Sequence, residues 1–198
     1  MERWKTEKTE LLLDTPWVKV RRDSVALPNG AKIDDFYAVS IRDASAIVAL
    51  DEEANVILKR EYRYCYDREL LEIPAGAFND GETDPLSVAQ RELLEETGYV
   101  SDHWEYLGPT VESSAKMTNF MHIFLARNCR KVAQQHLDET EELTVELVPL
   151  SKAADMVMTN EICCNSSAHG ILRAARMLEM ARLTETDEKS CKIDSDLL

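Results

Sequence analysis

The feature that most constrains this chain is a helix whose two ends are both marked in the sequence. Asp84 belongs to a residue type that caps helix N-termini, and Pro85 is favoured at the first helical position. Gly98 is a typical residue just past a helix end, because glycine adopts the left-handed conformation without strain. Apolar residues recur at helical spacing between these ends and would face a core: Leu86, Ala89 and Leu93. The pattern therefore predicts a helix that runs to Thr97.

Three carboxylates stand near the end of this helix, at positions i, i+3 and i+4: Glu92, Glu95 and Glu96. At this spacing they lie on one helix face. Carboxylates this close repel one another, whereas an ordinary solvated face mixes positive and negative charges. Mg²⁺ selects carboxylate oxygens and commonly shares its shell with substrate phosphates. We therefore infer that divalent cations, Mg²⁺ or Mn²⁺ in its place, bind among these three side chains.

A glycine-bracketed loop, Pro74–Glu82, leads into the helix. Loop, helix and carboxylates together resemble the Nudix box. That motif reads Gly, five residues, Glu, seven residues, then Arg-Glu-apolar-any-Glu-Glu-any-Gly-apolar. Gly76 and Glu82 match its first half, and the nine residues Arg91–Tyr99 match its second half at every specified position.

The spacing inside the motif departs from the family in one place. Eight residues, not seven, separate Glu82 from Arg91. Counted back from Arg91, Thr83 takes the place of the glutamate and Ala77 that of the glycine. Counted forward from Gly76, the loop holds one extra residue, which we prefer because loops absorb insertions readily. In the family this Glu pairs with the Arg and braces the loop, so the resemblance implies that pair while the spacing leaves it open.

Composition narrows the class of protein. The 198 residues suit one domain with extensions, and a net charge of −14 disfavours a surface for nucleic acid polymers. Five cysteines form no metal-finger spacing and fit reduced thiols in a cytoplasmic protein. The N-terminus lacks an apolar signal segment, and no run of about 18 apolar residues predicts a membrane span.

The rest of the chain interleaves strands with helices. Strands and turns are predicted for residues 3–41, and a short helix for Ser151–Met158. Further strands are predicted at Ala46–Leu50, Val56–Leu58, Trp104–Val111, Met121–Ala126 and Leu143–Leu150, and residues Leu70–Pro74 lead into the box loop. The helix predicted at Ser167–Leu183 carries an apolar stripe: Ala168, Ile171, Leu172, Ala175 and Leu178.

The expected fold class is α/β (α+β), a Nudix-like α/β/α sandwich with a mixed β-sheet and an N-terminal antiparallel strand extension. Residues 1–42 would be that extension, residues 43–183 the Nudix hydrolase domain, and residues 184–198 a polar, disordered tail.

Segments outside the box are similar to the branch of the family that acts on ADP-ribose and nucleotide sugars. They are Arg60–Tyr64, Glu69–Gly76, Phe124–Ala126 and Asp138–Leu143. The resemblance implies that an acidic loop supplies the base and a further metal ligand, here Glu139 and Glu141 in either order. It also implies that the backbone carbonyl of Ala75 completes the metal shell, and that the N-terminal strands build a homodimer.

Two further residues are candidates for substrate binding. Arg63 suits a phosphate, because a guanidinium pairs with phosphate through two hydrogen bonds, although a surface strand residue is the alternative. Trp17 is a candidate for stacking on a nucleobase, with packing in a core or a dimer as the more common role of such a residue. In the ADP-ribose branch a Ser-Pro-Gly-like signature follows the box, but the corresponding stretch Ser113–Asn119 has neither Pro nor Gly.

The resulting functional prediction is a Mg²⁺-dependent pyrophosphatase. It would hydrolyse a nucleoside diphosphate linked to another group, ADP-ribose or a related nucleotide sugar, to a nucleoside monophosphate and a sugar phosphate. One alternative keeps the chemistry but acts on NADH, another dinucleotide or a damaged nucleotide. The other is a catalytically inert Nudix-fold module that binds a nucleotide or has a regulatory role.

Overall fold

The computed structural model describes the backbone of residues 1–195 and the side chains of residues 1–181. Within residues 1–195 the structure has twelve strands: β1 (Lys5–Asp14), β2 (Lys19–Ala26), β3 (Lys32–Ser40), β4 (Ala44–Ala49), β5 (Asn55–Arg63), β6 (Arg68–Glu72), β7 (Ala75–Ala77), β8 (Tyr99–Val100), β9 (His103–Thr110), β10 (Met121–Arg127), β11 (Arg130–Lys131) and β12 (Leu143–Pro149). The helices are α1 (Pro85–Thr97), α2 (Leu150–Met158) and α3 (Asn165–Ser195).

The central sheet has the order β7-β4-β10-β9. Strand β10 pairs parallel with β4, whereas β9 and β7 pair antiparallel with their neighbours, so the sheet is mixed as predicted. A second sheet, β12-β5-β6, is entirely antiparallel. The predicted α+β class is therefore confirmed.

Strand β4 is buried on both faces because helices cover it from both sides. Val48 belongs to an apolar cluster shared with α2 and α3, and its neighbour Ile47 belongs to a cluster shared with α1. This alternation places α1 on one side of the central sheet and the other two helices on the opposite side. The arrangement is the expected α/β/α sandwich.

The stripe predicted for α3 is wrong in part. Leu172 is 37% exposed, whereas Ala174, which the stripe omits, is fully buried. Ser167 is also buried, and its hydroxyl accepts a hydrogen bond of 3.1 Å from the backbone N–H of Ile73. Small residues thus let α3 approach the sheet closely, and a search for large apolar residues alone does not find them.

The N-terminal strands form a separate antiparallel sheet in the order β1-β2-β3. It is attached to the rest of the protein at β3, where Val39 exchanges backbone hydrogen bonds with Lys116 and Thr118. Strand β1 is exposed along almost its whole length. The predicted tail, residues 184–198, has no described side chains, and residues 196–198 lie wholly outside the described part, so the disorder expected there stays a prediction.

Candidate active site

Helix α1 begins and ends where the sequence predicts. The Asp84 carboxylate accepts hydrogen bonds from the backbone N–H groups of Leu86 and Ser87. At the other end Gly98 has φ +75°, and its N–H donates to the carbonyl of Leu94. A side chain at residue 98 would also meet the Ala133 carbonyl. The cap and the stop therefore set the two ends of α1, and the core packing of Ala89 and Leu93 sets its rotation.

The three carboxylates of α1 do not share one environment. Glu92 and Glu96 are buried, with 9% and 3% of their surface exposed, and they point toward β7. The Glu95 side chain is 40% exposed and binds the Arg91 guanidinium at 2.9 Å. The helix thus presents two buried carboxylates, with the third at the rim.

The backbone of β7 lies directly against the two buried carboxylates. The N–H of Ala75 donates to Glu96 Oε2 at 3.0 Å. A methyl group on Gly76 would stand only 2.0 Å from the carboxyl carbon of Glu92, so a side chain at this position would force the Glu92 carboxylate to move. Gly76 therefore lets the loop lie directly against the Glu92 carboxylate in its present position.

Arg91 connects the box loop to the helix. Its guanidinium donates to Glu82 at 3.0 and 3.2 Å, to Glu92 at 2.7 Å, and to the carbonyl of Ala77 at 3.2 Å. The Glu82 carboxylate also accepts from the N–H of Asn79 at 2.6 Å. The loop accommodates its extra residue without losing the Glu82–Arg91 pair, as expected if the motif is counted forward from Gly76.

A lysine that sequence reasoning missed lies at the centre of the site. Lys59, on β5, is 2% exposed and forms an ion pair with Glu96. Its ammonium also lies 3.2 Å from Glu61 Oε2 and 3.5 Å from the carbonyl of Ala75. The sequence held one signal for it. Residues two apart on a strand point to the same face, so Lys59 shares the face of the buried Ile57.

Arg63 is placed at the edge of the same cluster. It forms an ion pair with Glu72 and donates to Glu61 at 2.8 Å. Both carboxylates are further site residues that sequence reasoning missed. The Arg63 side chain remains 36% exposed, so it is open to solvent although it is not free of partners.

Burial and opposite charges act against each other in this cluster. Burial raises the pKa of Glu96 to about 7, although Lys59 and the Ala75 N–H act in the opposite direction. Burial also raises the pKa of Glu92, against the effect of Arg91. For Lys59, burial alone would lower the pKa, but Glu96 and Glu61 outweigh it and hold the pKa above its usual value. Each group is thus stabilised in its charged form only by its neighbours.

The cluster carries more negative than positive charge. Six carboxylates and three cations form two neighbouring ion-pair networks with a combined formal charge of −3. One network joins Lys59 and Arg63 to Glu61, Glu72 and Glu96. The other joins Arg91 to Glu82, Glu92 and Glu95. Among the described residues, no three acidic, His or Cys side chains converge as a preformed metal site. The metal-ligating atoms available here are nevertheless all hard oxygens, and the cluster has an excess of negative charge. The residues present therefore fit a divalent cation.

The acidic loop, Asp138–Leu143, is preceded by residues that bind the backbone at the C-terminal end of α1. His136 N–H donates to the carbonyl of Glu95, and the Gln135 side chain donates to the carbonyl of Glu96, both at 2.8 Å. Further on, Glu141 accepts from the N–H of Asp138 at 3.0 Å, while Glu139 is exposed. Within the described residues, the structure does not bring the side chain of either candidate into contact with Glu92 or Glu96. The catalytic roles of Glu139 and Glu141 stay predictions.

Trp17 lies at the junction of the N-terminal sheet and the box loop. It is 75% exposed, and the Arg42 guanidinium lies 5.3 Å from its ring centre. Arg42 in turn donates to the carbonyl of Phe78 and to Asp80 in the box loop. Packing of Trp17 in the core of this chain is thereby excluded, whereas stacking on a ligand and packing in a dimer both stay open.

The chain resembles known proteins that share this motif and fold. Residues 40–162 match the family model described as the NUDIX domain, and residues 4–39 match the nucleoside diphosphate sugar hydrolase N-terminal domain. The chain is 32% identical to the methanol dehydrogenase activator of Bacillus methanolicus, over 80% of this chain and 85% of that protein. It is 30% identical to the ADP-ribose pyrophosphatase of Bacillus subtilis (strain 168), over 84% of this chain and 90% of that protein.

A crystal structure of an ADP compounds hydrolase superposes with a TM-score of 0.78, covering 91% of this chain and 97% of that one at 19% identity. This likeness concerns the fold, and the family model covers more than half of the chain. The chain therefore belongs to the Nudix family and is a hydrolase of the Nudix pyrophosphatase type.

Proposed function

We propose that this protein hydrolyses the diphosphate bond of a nucleoside diphosphate linked to a sugar, with ADP-ribose or a related nucleotide sugar as substrate. Nudix hydrolases generally use divalent metal ions, and we propose Mg²⁺ here, with Mn²⁺ as a substitute. The observation that carries the proposal is the pair of buried carboxylates, Glu92 and Glu96, held against the backbone of Ala75 and Gly76. The ADP-ribose pyrophosphatase named above supports the substrate class.

Glu92, Glu96 and the carbonyl of Ala75 would hold the cations, and Glu95 would join them after leaving Arg91. When bound, divalent cations neutralise the phosphoryl oxygens and lower the pKa of the attacking water. Glu139 or Glu141 would take the proton of that water as the acidic loop covers the substrate. The water oxygen forms a new bond to one phosphorus as the bridging P–O bond breaks, and the leaving phosphate keeps the bridging oxygen with its electron pair. The products are a nucleoside monophosphate and a sugar phosphate.

Arg63 and Trp17 are proposed to bind the two ends of the substrate. Arg63 is half-exposed beside the carboxylate cluster, where a phosphate oxygen can approach its guanidinium. Trp17 presents an open ring near the box loop, to which Arg42 ties it. A nucleobase could stack on this ring while the diphosphate lies at α1.

The assembly and the compartment are also proposals. Exposed leucines on β1 and the one-sided attachment of the N-terminal sheet favour a homodimer through that sheet. Within the described residues, no helix is both long and apolar enough to span a membrane. The four cysteines among residues 1–181 are free thiols, and together with the net charge of −14 they support a cytoplasmic protein that does not bind nucleic acid polymers.

Phosphate release from a panel of diphosphates tests the function, with Mg²⁺ or with EDTA and with a phosphatase added to reveal monoester products. The panel holds ADP-ribose, GDP-mannose, UDP-glucose, NADH, diadenosine polyphosphates and nucleoside triphosphates. We expect Mg²⁺-dependent cleavage of a nucleotide sugar. Preference for NADH would instead identify a dinucleotide hydrolase, and no turnover by folded protein would favour the inert, nucleotide-binding module.

The variant Glu96→Gln tests the site itself. We expect kcat to fall by about three orders of magnitude, because a lost metal ligand removes several kcal/mol of transition-state stabilisation. Glu52→Gln is the matched control, since Glu52 is exposed in the turn between β4 and β5. Full activity in Glu96→Gln would refute the proposed metal-binding face.

A further inference from the structure

The ammonium of Lys59 is surrounded by oxygen atoms in the interior of the protein. Its neighbours are the carboxylates of Glu96 and Glu61 and the carbonyl of Ala75, and its side chain is 2% exposed. A lysine is almost never buried so completely unless its charge is paired. Here two carboxylates pair with it, Glu96 on α1 and Glu61 on β5 itself.

Two carboxylates and a backbone carbonyl are the ligand types that hard divalent cations select. Two of these groups, Glu96 and the Ala75 carbonyl, are the same ones that the proposed function assigns to the metal. A metal ion bonded to both would stand within a few ångströms of Lys59, where two positive charges repel strongly because so little water separates them. Lys59 and a metal ion therefore exclude each other at this corner of the site.

We propose that Lys59 is an internal cation that holds the Ala75–Glu96 corner in the absence of metal and competes with a divalent cation for it. The inference rests on the proposed function, because it concerns the same metal site. Metal binding at this corner requires the Lys59 ammonium to leave Glu96, while Glu61 remains available to it at 3.2 Å. Lys59 thereby lowers the metal affinity of the free enzyme and keeps the two buried carboxylates from repelling each other before metal arrives.

Titration of the substrate-free protein with Mn²⁺ tests this competition, by calorimetry or by the electron paramagnetic resonance signal of free Mn²⁺. Lys59→Met keeps the length of the side chain and removes its charge. We expect it to bind Mn²⁺ at least tenfold more tightly than the unmodified protein, or to bind one additional ion. Unchanged or weaker Mn²⁺ binding by Lys59→Met would overturn the inference.

Arg60→Met is the matched control. Arg60 is the next residue on β5, and it forms an ion pair with Glu146 at 2.6 Å instead of facing α1. This variant changes the net charge of the protein by the same amount without removing a cation from the site. Mn²⁺ affinity that rises equally in both variants would also overturn the inference, because the effect would then come from overall charge.

A measurement on the unmodified protein covers the case in which Lys59→Met does not fold. Crystals soaked in Mn²⁺ should show either no ion at the Ala75–Glu96 corner, or an ion there with Lys59 moved away from Glu96. An ion bonded to both groups with the Lys59–Glu96 pair intact would refute the competition. If the competition were refuted in this way but hydrolysis still depended on Mg²⁺, the proposed function would stand. If neither the unmodified protein nor any variant bound Mn²⁺, the metal site itself would be refuted as well.

Discussion

Glu82 and Arg91 pair through two hydrogen bonds, Nε to Oε1 at 3.0 Å and Nη2 to Oε2 at 3.2 Å, although the loop before α1 is one residue longer than the family pattern. Arg91 also binds Glu92 and Glu95, so this pair determines where the guanidinium lies relative to the carboxylates. The loop and the metal-binding face are thereby coupled through one side chain.

Glu82→Gln should weaken this coupling. Arg91 would move toward Glu92 and compete with metal binding, so we expect kcat/KM to fall by about tenfold, as is usual when a residue that orients metal ligands is changed. Added Mg²⁺ should restore part of the loss. Steady-state kinetics at several Mg²⁺ concentrations measure kcat/KM of the variant. A loss of kcat/KM that is independent of Mg²⁺ would contradict the proposed competition between Arg91 and the metal.

Gly76→Ala should disturb Glu92 directly, because the new methyl group would stand 2.0 Å from its carboxylate. We expect a loss of stability of about 1–3 kcal/mol, typical of overpacking, together with loss of most activity. The control is a double-mutant cycle with Glu92→Ala, in which the free energy of unfolding of each variant is measured by urea denaturation. The cost of Gly76→Ala should shrink in that background, and an equal cost in both backgrounds would show that Glu92 is not the obstacle.

The two candidates in the acidic loop should differ in their effect on turnover. Glu139→Gln is expected to lower kcat by about 10²–10⁴, the range of general base catalysis, because the exposed Glu139 carboxylate is available to take the proton of the attacking water. Glu141→Gln should lower it less, because Glu141 already accepts from the Asp138 N–H. Single-turnover kinetics with saturating Mg²⁺ distinguish them, with Glu142→Gln as the control. Equal losses in all three variants would argue against a specific base here.

Light scattering should show a dimer that depends on β1. Leu11 and Leu13 are 53% and 43% exposed, and replacing both by Glu would place charges in the proposed interface. The measured mass should fall from that of two chains to that of one. Val132→Glu, at a residue that is 55% exposed outside this sheet, should leave the mass unchanged. A monomeric unmodified protein would refute the dimer.

Alkylation should distinguish the cysteines by burial. Burial raises the pKa of the Cys129 thiol to about 12, so at pH 8 it stays protonated and unreactive. Cys65 and Cys163 are exposed and should react with iodoacetamide in the native protein. Peptide mass spectrometry should find Cys129 labelled only after denaturation. Labelling of native Cys129 at the rate of Cys65 would contradict its burial.

The ends of α1 and the location of its carboxylates were predictable because their determinants are local. Asp84 caps its own helix, Gly98 ends it, and a spacing of three or four residues decides which side chains share a face. The N-terminal strands also followed from their apolar residues and turn residues, whereas the mixed sheet was expected from the interleaving of strands with helices and from the resemblance to the family. For these features, residues close together in the sequence determine most of the local conformation.

The tertiary structure decided which charges meet. Lys59 and Glu96 are 37 residues apart, and only the packing of β5 against α1 buries them together. The face that α3 presents was likewise decided by close packing of small residues such as Ser167 and Ala174 against the sheet. The sequence by itself determined where the carboxylates lie on α1. Their internal partners depended on the fold, because ion pairing between distant segments is set by three-dimensional proximity and burial.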